Sequence, residues 1–158
     1  MVLASMEEFQ VKITIQNYRE INDHSLEIME TLEKEIFEKP YPRETLLKSV
    51  EGKEHILILV ASVDGQNVAY KAGFAHDDQT FYSWVGGVSP LYRKLGIAAK
   101  LMEVQHQELK TMGFKKVRTK TKNKFKSMLL LNIKTGFDIV DTYMGADDEL
   151  RIILEKDL

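Results

Sequence analysis

Residues 80 to 121 carry the strongest constraint on how this chain folds. Phe81, Tyr82, Trp84, Val85 and Val88 form a run of aromatic and β-branched residues suited to a strand. Between residues 94 and 112 the spacing becomes helical: Ile97, Ala98, Leu101, Val104, Leu109 and Met112 trace an apolar stripe, and Gly113 supplies a C-terminal cap. Residues 114 to 121 then read as a second strand. A strand, a helix and a strand in this order predict two parallel strands joined by a right-handed crossover.

The rest of the chain extends that unit. Val11, Ile13 and Ile15 alternate with Lys12, Thr14 and Gln16, predicting a half-buried strand. From Asp23, Leu26, Met29, Leu32 and Ile36 recur at helical spacing, with Glu27, Glu30, Glu33 and Lys34 expected on a solvated face. Pro42 opens a second helix that Gly52 closes. Residues 55 to 63 and 68 to 76 form a hairpin around Asp64-Gly65, and the strand from Thr80 makes a third antiparallel neighbour. A helix over residues 124 to 135 ends at Gly136, and two strands follow, residues 137 to 144 and 149 to 155. The fold class predicted is α/β (α+β): one domain over residues 1 to 158, a mixed, mostly antiparallel sheet of seven strands with helices on both faces.

Composition narrows the function classes. The 22 Lys and Arg against 24 Asp and Glu leave a formal charge of -2, without the global basic field of a dedicated nucleic-acid binder. With no cysteine, thiolate nucleophiles, disulfides and thiolate metal sites are excluded. No histidine and carboxylate set has metal-ligand spacing, so no metal is expected. Residues 1 to 8 lack a basic and apolar leader pattern, and a cytoplasmic location without membrane association is expected.

The chemistry concentrates between Gly86 and Ala99. Gly86 and Gly87 sit inside a strand, where they pack nothing; they mark either a bulky neighbour or backbone bared to an extended, amide-containing ligand. Gly96 falls where the helix must begin, with Arg93 and Lys94 before it and Ala98 after it. Free N–H groups at a helix N-terminus suit phosphate or pyrophosphate. Neither a Walker A loop nor a dinucleotide fingerprint is present.

Val88-x-Pro90-x-x-Arg93-x-x-Gly96-x-Ala98 resembles the acetyl-CoA signature of the GNAT superfamily of N-acetyltransferases. The resemblance implies acetyl-CoA as cosubstrate, held by Gly87, Val88, Arg93, Lys94, Leu95, Gly96, Ile97, Ala98, Ala99, Asn123 and Met128. It also implies transfer of the acetyl group to an amine, on a small molecule or a peptide. A second family-like segment runs from Met128 to Gly136-Phe137, where the family commonly places a Tyr that gives a proton to the departing thiolate. That position here is Asn132, which donates hydrogen bonds but no proton. Direct attack on the thioester by a neutral amine survives the change, since a thiol has a pKa of about 8.5 and a general acid contributes only about 10²- to 10⁴-fold.

Relatives with a base on the third antiparallel strand carry Glu near Tyr82; Tyr82 is therefore a candidate for positioning water, and Tyr143, His76 and Asp141 follow it. His76 is expected in a solvated turn, His24 near a helix start and His106 on an outer helix face. Lys116, Arg118, Lys120, Lys122, Lys124 and Lys126 alternate with uncharged residues, predicting a cationic edge or face that is solvated, attracts the anionic coenzyme, or serves a small nucleic-acid module, which would leave the glycine features unexplained. The competing class is a non-catalytic acyl-CoA-binding regulatory domain. A homodimer is the one protein assembly expected.

Overall fold

A computed structural model describes residues 12–158. Val11 and the leader region read above lie outside the described residues. In chain order the elements are β1 (Ile13–Tyr18), α1 (Asp23–Ile36), α2 (Arg43–Val50), β2 (Leu57–Val63), β3 (Gln66–Ala75), β4 (Thr80–Val88), a single 3-10 turn (Pro90–Tyr92), α3 (Ile97–Thr111), β5 (Lys116–Lys122), α4 (Lys126–Lys134), β6 (Asp138–Met144) and β7 (Leu150–Asp157). They build one seven-stranded sheet in the order β1-β2-β3-β4-β5-β7-β6. Every adjacent pair is antiparallel except β4 and β5, the crossover expected from residues 80 to 121.

Two apolar layers sandwich the sheet. Leu26, Met29, Leu32 and Leu46 of α1 and α2 bury themselves on Ile58, Val60, Tyr70 and Ala72. Ile97, Leu101, Met102 and Leu109 of α3 cover Leu57, Leu59, Phe81 and Val117 on the other face. Because side chains alternate along a strand, Lys71, between Tyr70 and Ala72, projects toward α3. Asn22 fixes where α1 begins: its side chain accepts the Ser25 N–H at 2.9 Å, and the Ser25 hydroxyl accepts the Asn22 N–H at 3.0 Å. Asn22→Ala is expected to cost about 1 kcal/mol of stability by urea unfolding, as loss of an N-cap does.

Three sequence-based expectations change. His106 is 8% exposed and packs on Phe137 with ring centroids 5.7 Å apart, because α3 buries a stripe that includes Met102, Gln105 and His106. Burial, with Lys156, Lys71 and Lys110 nearby, pushes its pKa down to about 4. Glu33 is 1% exposed rather than solvated. The cationic row on β5 is largely matched by acids: Lys116 pairs with Asp157, Arg118 with Glu155, Lys122 with Asp147 and Glu149, and Lys124 with Glu149. Lys120 has no acidic partner among the described residues.

Candidate functional site

β4 and β5 run together only from Thr80 and Lys116 to Ser83 and Thr119. The Thr119 hydroxyl closes this paired stretch by donating to the Ser83 carbonyl at 3.1 Å. Beyond it the strands part, and Trp84 to Val88 have no β5 partner. A shift of register between Ala72 and Gly73 of β3 sharpens the bend opposite Trp84. The wedge opens into a cavity of 570 Å³, within the range of about 300 to 1,000 Å³ usual for ligand sites.

Each wall has a local cause. Gly86 and Gly87 form the β4 wall. A Cβ at Gly86 would stand 2.6 Å from the Tyr70 carbonyl oxygen, and one at Gly87 2.7 Å from Ile36 Cγ2. The bulky-neighbour explanation therefore holds for Gly87, while at Gly86 it is the backbone of β3 that leaves no room for a side chain; both also line the cavity. Thr121, Phe125, Ser127, Met128 and Leu131 make the opposite wall. At one end, Gly96 takes a φ of +80° before α3, and Lys94 a φ of +64°. The first intrahelical bond is from the Lys100 N–H to the Gly96 carbonyl, which leaves the N–H groups of Ile97, Ala98 and Ala99 without helical partners. No side chain among the described residues caps them. All three residues line the cavity beside Arg93 and Lys94, giving an anion cradle of bare N–H groups, helix dipole and cationic side chains. Arg93 is steadied by donating from Nε to the Val88 carbonyl at 3.1 Å.

Of the coenzyme-holding residues inferred from sequence, all line this cavity except Leu95 and Asn123. Leu95 is 46% exposed, and Asn123 is exposed in the turn before α4. Phe37, Tyr92 and Phe125 join the lining without having been singled out, as does Ile36, read only as part of the apolar stripe of α1; neither a helical stripe nor a short connection carries a local signal of which cavity it faces. Asn132 is 2% exposed, and neither cavity at the wedge counts it among its walls.

The wedge's narrow end holds a second cavity of 90 Å³, where Lys71, Ser83, Leu101, Thr119 and Met128 meet Gly86. On the α1 side of the sheet lies an aromatic group. Tyr82 stacks edge-on against Phe74 at 5.6 Å, and Lys120 stands over both Tyr82 and Tyr143, 5.6 and 5.3 Å from their ring centroids. Tyr82 and Tyr143, two of the candidates named from sequence, are thus brought together. Burial, then the Tyr143 and Tyr41 phenols, push Tyr82 up to about 12, so it remains a neutral phenol. His76 is exposed in its turn and Asp141 on β6. Glu33 accepts from the Tyr70 hydroxyl at 2.8 Å and from the Tyr41 N–H at 3.0 Å, tying the α1–α2 connection to β3. Burial raises its pKa against those two bonds.

A family profile described as an acetyltransferase (GNAT) domain matches residues 15–119, which include β4, the anion cradle and all of α3. The chain belongs to the GNAT acetyltransferases. Solved structures agree with this GNAT fold. The ribosomal-protein-S18-alanine N-acetyltransferase from Escherichia coli is 18% identical, with 92% of this chain and 94% of that one covered at a TM-score of 0.78. Ard1 from Thermoplasma volcanium is 15% identical, covering 92% and 97% at 0.79. A GNAT family acetyltransferase from Elizabethkingia anophelis, solved with acetyl-CoA bound, is 18% identical, covering 92% and 98% at 0.70. No curated protein matches the sequence. Among the described residues of this GNAT chain, no group of three His, Asp or Glu could hold a metal ion, and no helix is long and apolar enough to cross a membrane.

Proposed function

We propose that this GNAT chain is an N-acetyltransferase that moves an acetyl group from acetyl-CoA directly to an amine. The observation that carries the reading is the wedge between β4 and β5, open along β4 backbone that β5 leaves unpaired and ending at three uncapped N–H groups of α3. The cradle accommodates the pyrophosphate, the bare β4 backbone pairs with the amide groups of the pantetheine arm, and Met128 and Leu131 supply an apolar wall. The coenzyme supplies an activated acyl carbon and a thiolate leaving group. The chain holds that carbon at the end of the paired stretch, where a β4 N–H stabilises the oxyanion.

The amine approaches from the α1 side, past Tyr82, Tyr143 and Lys120. Tyr82 acts there as a neutral hydrogen-bonding phenol that positions water to take up the proton of the amine. The acceptor is a small-molecule or peptide amine. Calorimetry with acetyl-CoA, followed by a thiol-release screen across amine classes, tests the reading: heat of binding and release with one class support it, and no heat removes it. Tyr82→Phe is expected to lower kcat by about 10- to 100-fold in that assay while leaving acetyl-CoA affinity unchanged. An unchanged kcat would remove Tyr82 from the mechanism.

A further inference from the structure

Lys71 is 9% exposed, and among the described residues no acid or hydrogen-bond acceptor engages it. It pairs in register with Gly86 and Leu59, neither of which can balance a charge. Its side chain, projecting toward α3, shares the 90 Å³ cavity at the wedge's narrow end with Ser83, Thr119 and Met128. This is where the strands part, so a ligand laid along β4 brings its reactive end there. The polar surroundings are uncharged: Gln105 donates to the Ser83 hydroxyl at 3.2 Å, and its own Oε1 is buried without a partner.

We propose that Lys71 is the proton donor to the departing coenzyme thiolate, an assignment that rests on the acetyl-transfer reading above. The amine nitrogen forms a bond to the acyl carbon, and the carbon–sulfur bond breaks with its electron pair going to sulfur. Sulfur takes a proton from the Lys71 ammonium. The nitrogen of the new amide gives its proton to water, and the neutral Lys71 amine is reprotonated from solvent, so the products are amide and thiol. Burial pushes Lys71 down to about 8, close to the ordinary thiol value of about 8.5, which makes transfer between them nearly balanced. The titratable group facing it from α3 is His106, held down to about 4 and therefore neutral in this range. β2, β4, β5 and α4 present Leu59, Gly86, Ser83, Thr119 and Met128, none of which titrates. Asn132, which has no proton to give, is relieved of the task.

CoA and desulfo-CoA, which differ only at sulfur, separate this role from a structural one. Calorimetry at about pH 8.5 is expected to show the wild-type chain binding CoA about tenfold more tightly than desulfo-CoA, the worth of one charge-assisted hydrogen bond. Lys71→Met is expected to lose that preference while keeping its affinity for desulfo-CoA. Ultraviolet titration of bound CoA should likewise place the thiol at lower pH in wild type than in the variant. An equal preference in both proteins would overturn the assignment and leave coenzyme binding standing. Failure of wild type to bind either compound would overturn both readings. An acetyl group on Lys71 by mass spectrometry after incubation with acetyl-CoA would also overturn it, because an amine that reaches the carbonyl is a nucleophile there.

Discussion

Lys71→Met is expected to stabilise the fold by about 2 to 3 kcal/mol at neutral pH, measured by chemical denaturation. Burial lowers Lys71 from 10.5 to about 8, so holding it charged in the folded chain carries a cost. The sign follows from proton counts. Between about pH 8 and 10.5 the unfolded chain binds more protons at this site than the folded one, so wild-type stability rises with pH across that window. Below it the cost is fully present. The variant's advantage should therefore be largest below pH 8 and shrink toward pH 10.5. Methionine has nearly the same length and no charge, and replacing buried charge with apolar volume is often stabilising. A variant no more stable than wild type at pH 7 would show that the ammonium is well solvated. Gain of stability together with loss of the thiol preference is the signature of a residue kept for chemistry.

Gly96→Val is expected to weaken acetyl-CoA binding by at least about 100-fold, since two effects act at one position. A φ of +80° is a conformation in which a Cβ costs about 1 to 2 kcal/mol, and branching at that carbon adds to it. A Cβ there meets no other protein atom within 4 Å, and Gly96 lines the cavity beside the cradle, so the added side chain is expected to obstruct the pyrophosphate rather than clash with the protein. Gly96→Ala, with the strain but little intrusion, should fall between the two. Equal affinity in Gly96→Val and wild type by calorimetry would contradict the placement of the pyrophosphate.

What could be read from the sequence was whatever its neighbours along the chain determine. Strand alternation, the helical stripe from Ile97 and the turn at Gly96 are local patterns, and the elements followed from them. The environment of a charged residue is set across the sheet. Lys71 is the one charged residue of β3, and only the register with β4 reveals that it faces the wedge. The β5 cations looked like a free surface because the acids that match them arrive from β7 and the turn before it. Glu33 sits on the polar side of an idealised α1, yet the Tyr70 hydroxyl and Tyr41 N–H give it a buried place that a helical wheel cannot show.

The sheet order also dictates a sequence of events in time. β7 is the last of the seven strands to be synthesised, yet it lies between β5 and β6. Until it inserts, β5 has an open edge on the side away from β4, and β6 has no partner among the described residues, with Ile139, Val140 and Met144 on its exposed surface. Open edges of this kind template pairing with other chains. A nascent or truncated chain that stops before Leu150 therefore presents two unsatisfied strands, which makes insertion of the last strand the step that closes the sheet.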